Sequence, residues 1–306
     1  MTTYIIRRLI MMIPVLLGVS LLTFGIAKLT PGDPARLALG QFATTERIAE
    51  LRAAWHLDDP VLVQYGRFVF KAIQGDFGES FRGQKPVLRS IMTRFPSTAE
   101  LAGAGLFLAV ITGIPMGMLA AWLNGTFIDR AIMILAISIL SIPVFVLAIL
   151  LLYVFGVWLN WISITANEGL SALILPAACL AIGPSAVLTR MTRSSILETL
   201  SEDYVRTARS KGLKERVVMV QHVLRNAMIP IITLLGLMLS GLLAGSVFIE
   251  AVFARSGLGR FIINAIGARD YPEVQGAVLF TATILVVLNL VVDVLYAVID
   301  PRIRYS

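Results

Sequence analysis

Marking every Asp, Glu, Lys and Arg leaves six long charge-free stretches along the chain: Leu9 to Ala27, Leu101 to Ile128, Ala131 to Asn167, Gly169 to Thr189, Asn226 to Ile249, and Val274 to Val292. A helix rising 1.5 Å per residue needs roughly 20 apolar residues to cross about 30 Å of hydrocarbon. Each stretch therefore suffices for one crossing. The third is long enough to invite two, but Asn160, Trp161, Ser163 and Asn167 make its later part polar and interfacial. One helix over Ala131 to Phe155 is expected there. The pattern predicts an all-α membrane protein with six transmembrane helices. Arg7 and Arg8 ahead of the first run, with Gly25-Ile26-Ala27 at its end, also fit a cleavable signal peptide. The run is long for such a segment, so a retained span is the expectation.

Between Lys28 and Glu100 the chain leaves the membrane for too long to be a simple connection, so residues 30–96 must fold locally as a helical insert. Thr30-Pro31-Gly32-Asp33-Pro34 is a turn-rich exit, and Ile48, Leu51 and Trp55 recur at helical spacing. Asp59-Pro60 reads as an N-cap followed by Pro at the first helical position, with Leu62, Tyr65, Val69 and Ile73 as the apolar stripe of the helix it opens. Gly75-Asp76-Phe77-Gly78 stops that helix, and Leu88, Ile91, Met92 and Phe95 form a third stripe running into the second span. The plainer reading is a helical cap packed on the ends of the spans. Direct contact with a substrate is the sharper one, and a docking platform is compatible with either.

The second polar segment, residues 190–230, is the informative one. Ser201-Glu202-Asp203 supplies a helix start, and Tyr204, Ala208 and Gly212 fall one turn apart on one face. Small residues at the last two positions permit close approach by another surface, and Gly212 suits the left-handed residue that ends a helix. A second short helix with Val217, Val220 and Leu224 on one side leads back to Pro230. Charge and periodicity fit a basic hairpin lying on anionic headgroups about as well as a protein-docking loop.

Composition narrows the class. The chain is 57% hydrophobic and 15% charged, against ~25% charged in soluble domains, which excludes an ordinary cytosolic enzyme. The net charge of +7 reports orientation in such a protein and does not point to nucleic acid as a partner. Short loops decide that orientation: Asn160 to Ser171 has no Lys or Arg, whereas Arg190 to Arg225 has eight against four acidic residues. The N- and C-termini are thus expected on the cytoplasmic side, and residues 30–96 outside. The single cysteine, Cys179, lies in an apolar run, and with His56 and His222 it advertises neither thiol nor metal chemistry.

No phosphate-cradling Gly-x-x-x-x-Gly-Lys-Ser/Thr run exists in the sequence. Gly257-Leu258-Gly259-Arg260 lacks the strand and helix context of a nucleotide site. Nor is there a chain of intramembrane ionisable residues of the sort a proton-driven carrier uses. Asp293 is the nearest, and pairing with Arg302 or snorkelling is the expected fate of its charge. Gly103, Gly105, Gly113, Gly117, Gly236, Gly241 and Gly245 read as helix-packing positions before pore lining. Pro115, Pro143, Pro176 and Pro184 are expected to bend or interrupt their helices. No paired nucleophile and base is placed, so a membrane enzyme is not expected.

Arg206-Thr207-Ala208-x-x-x-Gly212, followed by His222-x-Leu224-Arg225-Asn226-Ala227-x-x-Pro230, resembles the EAA loop of ABC importer permeases in the dipeptide, oligopeptide, nickel and glutathione branch. The resemblance runs along almost the whole chain. It takes in Tyr4-Ile5-Ile6-Arg7-Arg8-Leu9, Pro31-Gly32-Asp33-Pro34-Ala35, Gly75-Asp76-Phe77-Gly78, Arg190-Met191-Thr192-Arg193-Ser194-Ser195, Glu202-Asp203-Tyr204, Gly257-Leu258-Gly259-Arg260, Arg269-Asp270-Tyr271-Pro272-x-x-Gln275-Gly276 and Asn289-Leu290-x-x-Asp293-x-Leu295-Tyr296. Arg206 and Thr207 stand where most importers carry Glu and Ala, and Arg255-Ser256 where relatives usually carry Trp-Pro.

This resemblance implies a type I ABC importer permease fold in a bacterial inner membrane. It also implies a second, homologous permease subunit, two ATPase subunits that carry ATP and magnesium, and an extracytoplasmic solute-binding protein, with no cofactor in this chain. Asp203, Tyr204, Arg206, Thr207, Ala208, Gly212, Arg225, Asn226 and Pro230 become the candidate ATPase-coupling residues. Trp55, Tyr65, Phe253, Arg255, Gly257 and Tyr271 become the candidate gate or docking residues outside. Di- and oligopeptides or similar small solutes are the expected cargo. Gln64-Tyr65-Gly66 and Ala99-Glu100-Leu101-Ala102-Gly103 lean toward the nickel branch, while Glu202-Asp203-Tyr204-x-Arg206-Thr207-Ala208-Arg209 leans toward the dipeptide and glutathione branches.

Overall fold

The computed structural model describes residues 2–29, 32–40, 43–161 and 170–299, of which 2–5, 170–171 and 295–299 are described by their backbone alone. The expected turn at Thr30-Pro31, Ser163, Asn167 and Arg302 lie wholly or partly outside those residues. Among the described residues the structure is helical, with one isolated β-bridge between Glu79 and Pro86. Five helices are long and apolar enough to cross a membrane, and a sixth crossing is counted if one sharply bent pair acts together. The chain divides into two compact units, Met1–Ser97 with Ser256–Ser306, and Thr98–Arg255.

In the first unit α1 (Thr2–Leu29) packs along α13 (Tyr271–Ile299), and the Arg8 guanidinium meets the Asp293 carboxylate at 3.1 Å. The charge of the last span is thus met by the first, while Arg302, the partner expected from the sequence, lies outside the described residues. Three short helices follow α1: α2 (Pro34–Leu39), α3 (Thr45–Ala54) and α4 (Val61–Ile73). Thr44 caps α3 by accepting from the Arg47 N–H at 3.3 Å. At α4 the expected cap is displaced by one residue. Pro60 has the extended backbone of the capping position, φ −54° and ψ 140°, so Pro does not open the helix. The Asp59 carboxylate turns instead to Arg67 at 2.8 Å. Val87, Ile91, Leu258, Phe261 and Ala277 form the buried core where the start of α5 (Val87–Trp122) meets α12 (Leu258–Ala268) and α13. Gly276 is required there, since a Cβ would stand 2.7 Å from Val87 and 2.9 Å from Phe77.

The second unit is built on α8 (Leu170–Leu200), against which the remainder of α5, α6 (Phe127–Leu140), α7 (Val144–Leu151, continued as a π-helix over Leu152–Trp158) and α11 (Arg225–Val252) are packed. The third charge-free stretch is not one helix. α6 and the α7 run are bent by 102° at Ser141-Ile142-Pro143, because the Pro ring fixes φ and pushes the preceding residue out of the helical region. Pro115, Pro176 and Pro184 lie inside continuous helices, so of the four prolines expected to bend or interrupt their helices Pro143 is the one at a break. The glycines separate by role. A Cβ on Gly113 would meet the Ser185 carbonyl at 2.7 Å and one on Gly117 the Thr189 carbonyl at 2.5 Å, whereas Gly103 and Gly241 have open space. Gly113 and Gly117 are thus the residues that let α5 lie directly on the backbone of α8.

Candidate functional site

The segment 190–230 begins inside α8, which runs on past Arg190 to Leu200. Arg193 on that extension is fixed by Asp129 and Asn124: its Nε donates to Asp129 Oδ1 at 2.6 Å, and its Nη2 donates to Asp129 Oδ2 at 2.8 Å and to Asn124 Oδ1 at 2.9 Å. The Gly125 N–H completes the Asp129 shell at 2.9 Å. A turn at Ser201-Glu202 then opens α9 (Asp203–Ser210), with Glu202 at the capping position making no side-chain cap bond. Asp203 in the first turn suits the positive end of the helix. Lys211 closes α9, and Gly212 follows at φ +74°, a left-handed value that ends the helix where the sequence places its stop.

The chain returns as α10 (Glu215–Val217), passes through a π-helical stretch Val218–Leu224, and enters α11. The turn between α9 and α10 is closed by Arg209, whose Nη2 and Nε donate to Glu215 at 2.6 and 3.2 Å. That bond raises the Arg209 pKa above its ordinary value. Asn226 donates to the His222 carbonyl at 2.7 Å, Arg225 is exposed, and Pro230 lies inside α11.

Two expectations about this segment are corrected. Ala208 does not present an open surface: it is 5% exposed and packs with Ala121, Ile196, Val205, Val218, Val223 and Ala227. The inner face of α9 is Val205 and Ala208, three residues apart, and Val205 was the signal in the sequence that marks it. Tyr204, 40% exposed, stands on the rim, with Arg206, Thr207 and Ser210 outside. Of the expected stripe of Val217, Val220 and Leu224, Leu224 packs against this core, but the stripe is not the buried face. Val218 and Val223 are the fully buried pair, and Val220 is 55% exposed. The π-helical stretch bonds i to i+5 and brings residues five apart onto one face. What results is a short exposed helix, cationic and hydroxyl-bearing on its outer side, seated rigidly on the chain's own core.

The residues expected outside belong to both units. In the first unit the Trp55 ring stacks on Phe81 at 3.9 Å, and Phe81 meets Tyr271 edge-on at 6.3 Å. Phe81 had no periodicity to announce it. Beneath this stack Asp270, 1% exposed, accepts from Ser80 Oγ at 2.6 Å and from the Arg82 N–H at 3.3 Å. A cavity of about 460 Å³ opens beside the stack, lined among others by Trp55, His56, Arg67, Lys71, Asp76 and Tyr271. Tyr65 is not an exposed aromatic: its hydroxyl lies 2.9 Å from Ser20 Oγ of α1. Gly257 takes the extended capping position of α12. In the second unit Phe253 closes α11, and Arg255, 8% exposed, donates from Nη2 to Glu100 at 2.5 Å. The departure at Arg255 thus has a partner, Glu100, that sequence reading did not supply. Among the described residues no three His, Cys, Asp or Glu side chains gather closely enough to hold a metal ion.

Comparison with known proteins gives concordant results. Residues 113–305 match the binding-protein-dependent transport system inner membrane component, and residues 1–102 match the N-terminal component of such systems. The chain is 43% identical over 306 residues, all of both chains, to the glutathione transport system permease protein GsiC of Salmonella paratyphi A. It is 42% identical over the same full length to GsiC of Escherichia coli K12. Among solved structures it is similar to the MetNI methionine ABC transporter in its inward-facing conformation, with a TM-score of 0.57 and 19% identity over 69% of this chain and 96% of that one. It is also similar to an amino acid ABC transporter crystallised with histidines, with a TM-score of 0.51 and 21% identity over 70% of this chain and 94% of that one.

Proposed function

The chain belongs to the inner-membrane components of binding-protein-dependent transport systems, in the peptide and nickel branch of ABC importer permeases, and we propose that it forms one half of the pathway of an importer for short peptides, glutathione among them. It is a multi-pass inner-membrane permease subunit, with a transport role rather than a catalytic one. In this reading it crosses the membrane six times with both termini in the cytoplasm. It pairs with a second, homologous permease, and two ATPase subunits supply ATP hydrolysis with magnesium. An extracytoplasmic binding protein delivers the solute. The glutathione assignment of its full-length relatives carries the choice of solute.

The observation that carries the coupling assignment is the seating of α9. Its inner residues Val205 and Ala208 are locked into the chain's core, and its outer residues Tyr204, Arg206 and Thr207 are exposed. A helix so anchored transmits a push on its outer face to α8 and α11 as a rigid body. The membrane-surface hairpin that fits the same charges requires a continuous apolar outer face, whereas α9 turns Val205 and Ala208 inward and the hairpin leaves only Tyr204, Leu213 and Val220 as large apolar side chains outside. The test is the double substitution Tyr204→Ala with Arg206→Glu in the complex co-expressed with its ATPases. Loss of ATPase co-purification and of binding-protein-dependent glutathione uptake is expected, with the permease's melting temperature unchanged. Undiminished co-purification returns the segment to a lipid-facing role.

A further inference from the structure

The insert between α1 and α5 reads as water-exposed, yet one of its helices carries an apolar face that nothing in the described structure covers. On α4, Leu62 is 82% exposed, Phe70 66% and Ile73 80%, with Val61 at 58% and Val63 at 48%. Leu62, Gly66, Phe70 and Ile73 follow one another at helical spacing, so the exposed apolar residues form a stripe. The opposite side is fixed to α1. Tyr65 Oη lies 2.9 Å from Ser20 Oγ, and the Phe24 ring meets Tyr65 at 5.4 Å and Phe68 at 6.4 Å.

Those contacts set the depth of α4. The charge-free part of α1 ends at Lys28, which marks the polar boundary on the side from which the insert emerges. At 1.5 Å per residue Phe24 lies about 6 Å and Ser20 about 12 Å along α1 from that boundary. A helix held at the level of Phe24, with its Tyr65 side chain reaching Ser20, is below the headgroups. At the same level α1 is itself apolar and exposed on its other faces, with Leu21 56% exposed, Leu22 66% and Ile26 64%. The α4 stripe therefore lies at a depth where exposed side chains of this chain face hydrocarbon. The charged residues of α4 leave that stripe, Arg67 for Asp59 at 2.8 Å and Lys71 for Asp76 at 3.8 Å. This is the arrangement of an interfacial helix, apolar toward the acyl chains with cationic stems directed to the polar layer.

We propose that α4 lies in the membrane, its Leu62–Phe70–Ile73 face among the acyl chains of the leaflet nearest the insert, so that lipid and not a protein partner is its occupant. The insert is then anchored in that leaflet through α4 and stands in water elsewhere.

The test places single cysteines at Leu62, Phe70 or Ile73 in a Cys179→Ala background, each carrying a nitroxide, in the full permease complex reconstituted into phosphatidylethanolamine–phosphatidylglycerol liposomes. Collision with oxygen and with a water-soluble nickel chelate is read at each site. Ile13 of α1, 57% exposed, is the lipid standard, and Glu46 of α3, exposed and charged, is the water standard. Oxygen access with chelate exclusion, matching Ile13, is expected at all three positions. Chelate access matching Glu46 overturns the proposal in favour of a water-facing surface. Shielding from both reagents overturns it in favour of a protein cover, by the partner permease or the binding protein. The Ile13 standard reports membrane insertion independently of transport, so the outcome at α4 stands apart from the assignment of the solute.

Discussion

Arg193 on α8 and Asp129 at the start of α6 form a two-point ion pair, Nε to Oδ1 at 2.6 Å and Nη2 to Oδ2 at 2.8 Å, with Asp129 2% exposed. The pair lies 64 residues apart in sequence and ties the base of the bent α6–α7 run to the helix that leads into α9. Asp129→Asn removes the charge while keeping the shape, and leaves the guanidinium without its counterion. A loss of about 3 kcal/mol is expected, read as a fall in the melting temperature of the detergent-solubilised permease. Arg193→Lys retains charge but not the two-point geometry, so it should fall between. A melting curve for Asp129→Asn that overlays the parent protein contradicts this account.

Gly113 and Gly117 allow α5 to touch the backbone of α8, whereas Gly103 has nothing within 4 Å of an added Cβ. Gly117→Ala and Gly113→Ala should each destabilise by about 1–3 kcal/mol, because a helix backbone cannot give way as a side chain can. Gly103→Ala should be neutral or stabilising by about 0.5–1 kcal/mol, as expected for Gly to Ala inside a helix. The three melting temperatures, measured side by side, check the contrast.

Ala208→Trp should unfold the α9 corner. Ala208 is 5% exposed against Val205, Val218 and Val223, and an indole has no room there. A reduced yield of folded permease is expected together with loss of transport, and its melting temperature should fall where that of Tyr204→Ala does not. Equal stability of the two variants would place Ala208 on an open face.

Orientation is checked by cysteine labelling from the two sides of the membrane in a Cys179→Ala background. Ser210 beside the end of α9 and Glu46 on α3 are both exposed. An impermeant maleimide applied outside spheroplasts should label the cysteine at position 46 and leave the one at position 210 until the membrane is opened. The reverse pattern overturns the proposed topology.

Much of the fold was legible because it is local. Charge-free length marked the five long apolar helices, and Gly212 announced the end of α9 through the conformation it alone adopts cheaply, φ +74°. The break before Pro143 was only partly legible. Proline removes a ladder bond, but Pro14, Pro96, Pro115, Pro176, Pro184 and Pro230 lie within continuous helices, so a proline alone does not decide. Tertiary relationships left no periodic trace. Tyr65 finds Ser20 across 45 residues and Arg255 finds Glu100 across 155, and no window of sequence holds both partners. The buried face of α9 lies one step out of phase with the Tyr204, Ala208 and Gly212 spacing, because burial follows the larger aliphatic side chain of Val205.

The π-helical stretch Val218–Leu224 bears on how this segment is aligned with others and how it tolerates change in length. Val218 and Val223 both lie fully inside. In an α-helix residues five apart diverge by about 140°, so the stretch holds one residue in excess of an α-helical path between the same two faces. Dropping one residue there contracts the wide turn to an ordinary one and leaves α9 and α11 in phase. Dropping one residue from α9 has no such slack to draw on and rotates all that follows in the helix by about 100°. A one-residue gap against a relative therefore belongs between Val218 and Leu224, where the backbone absorbs it.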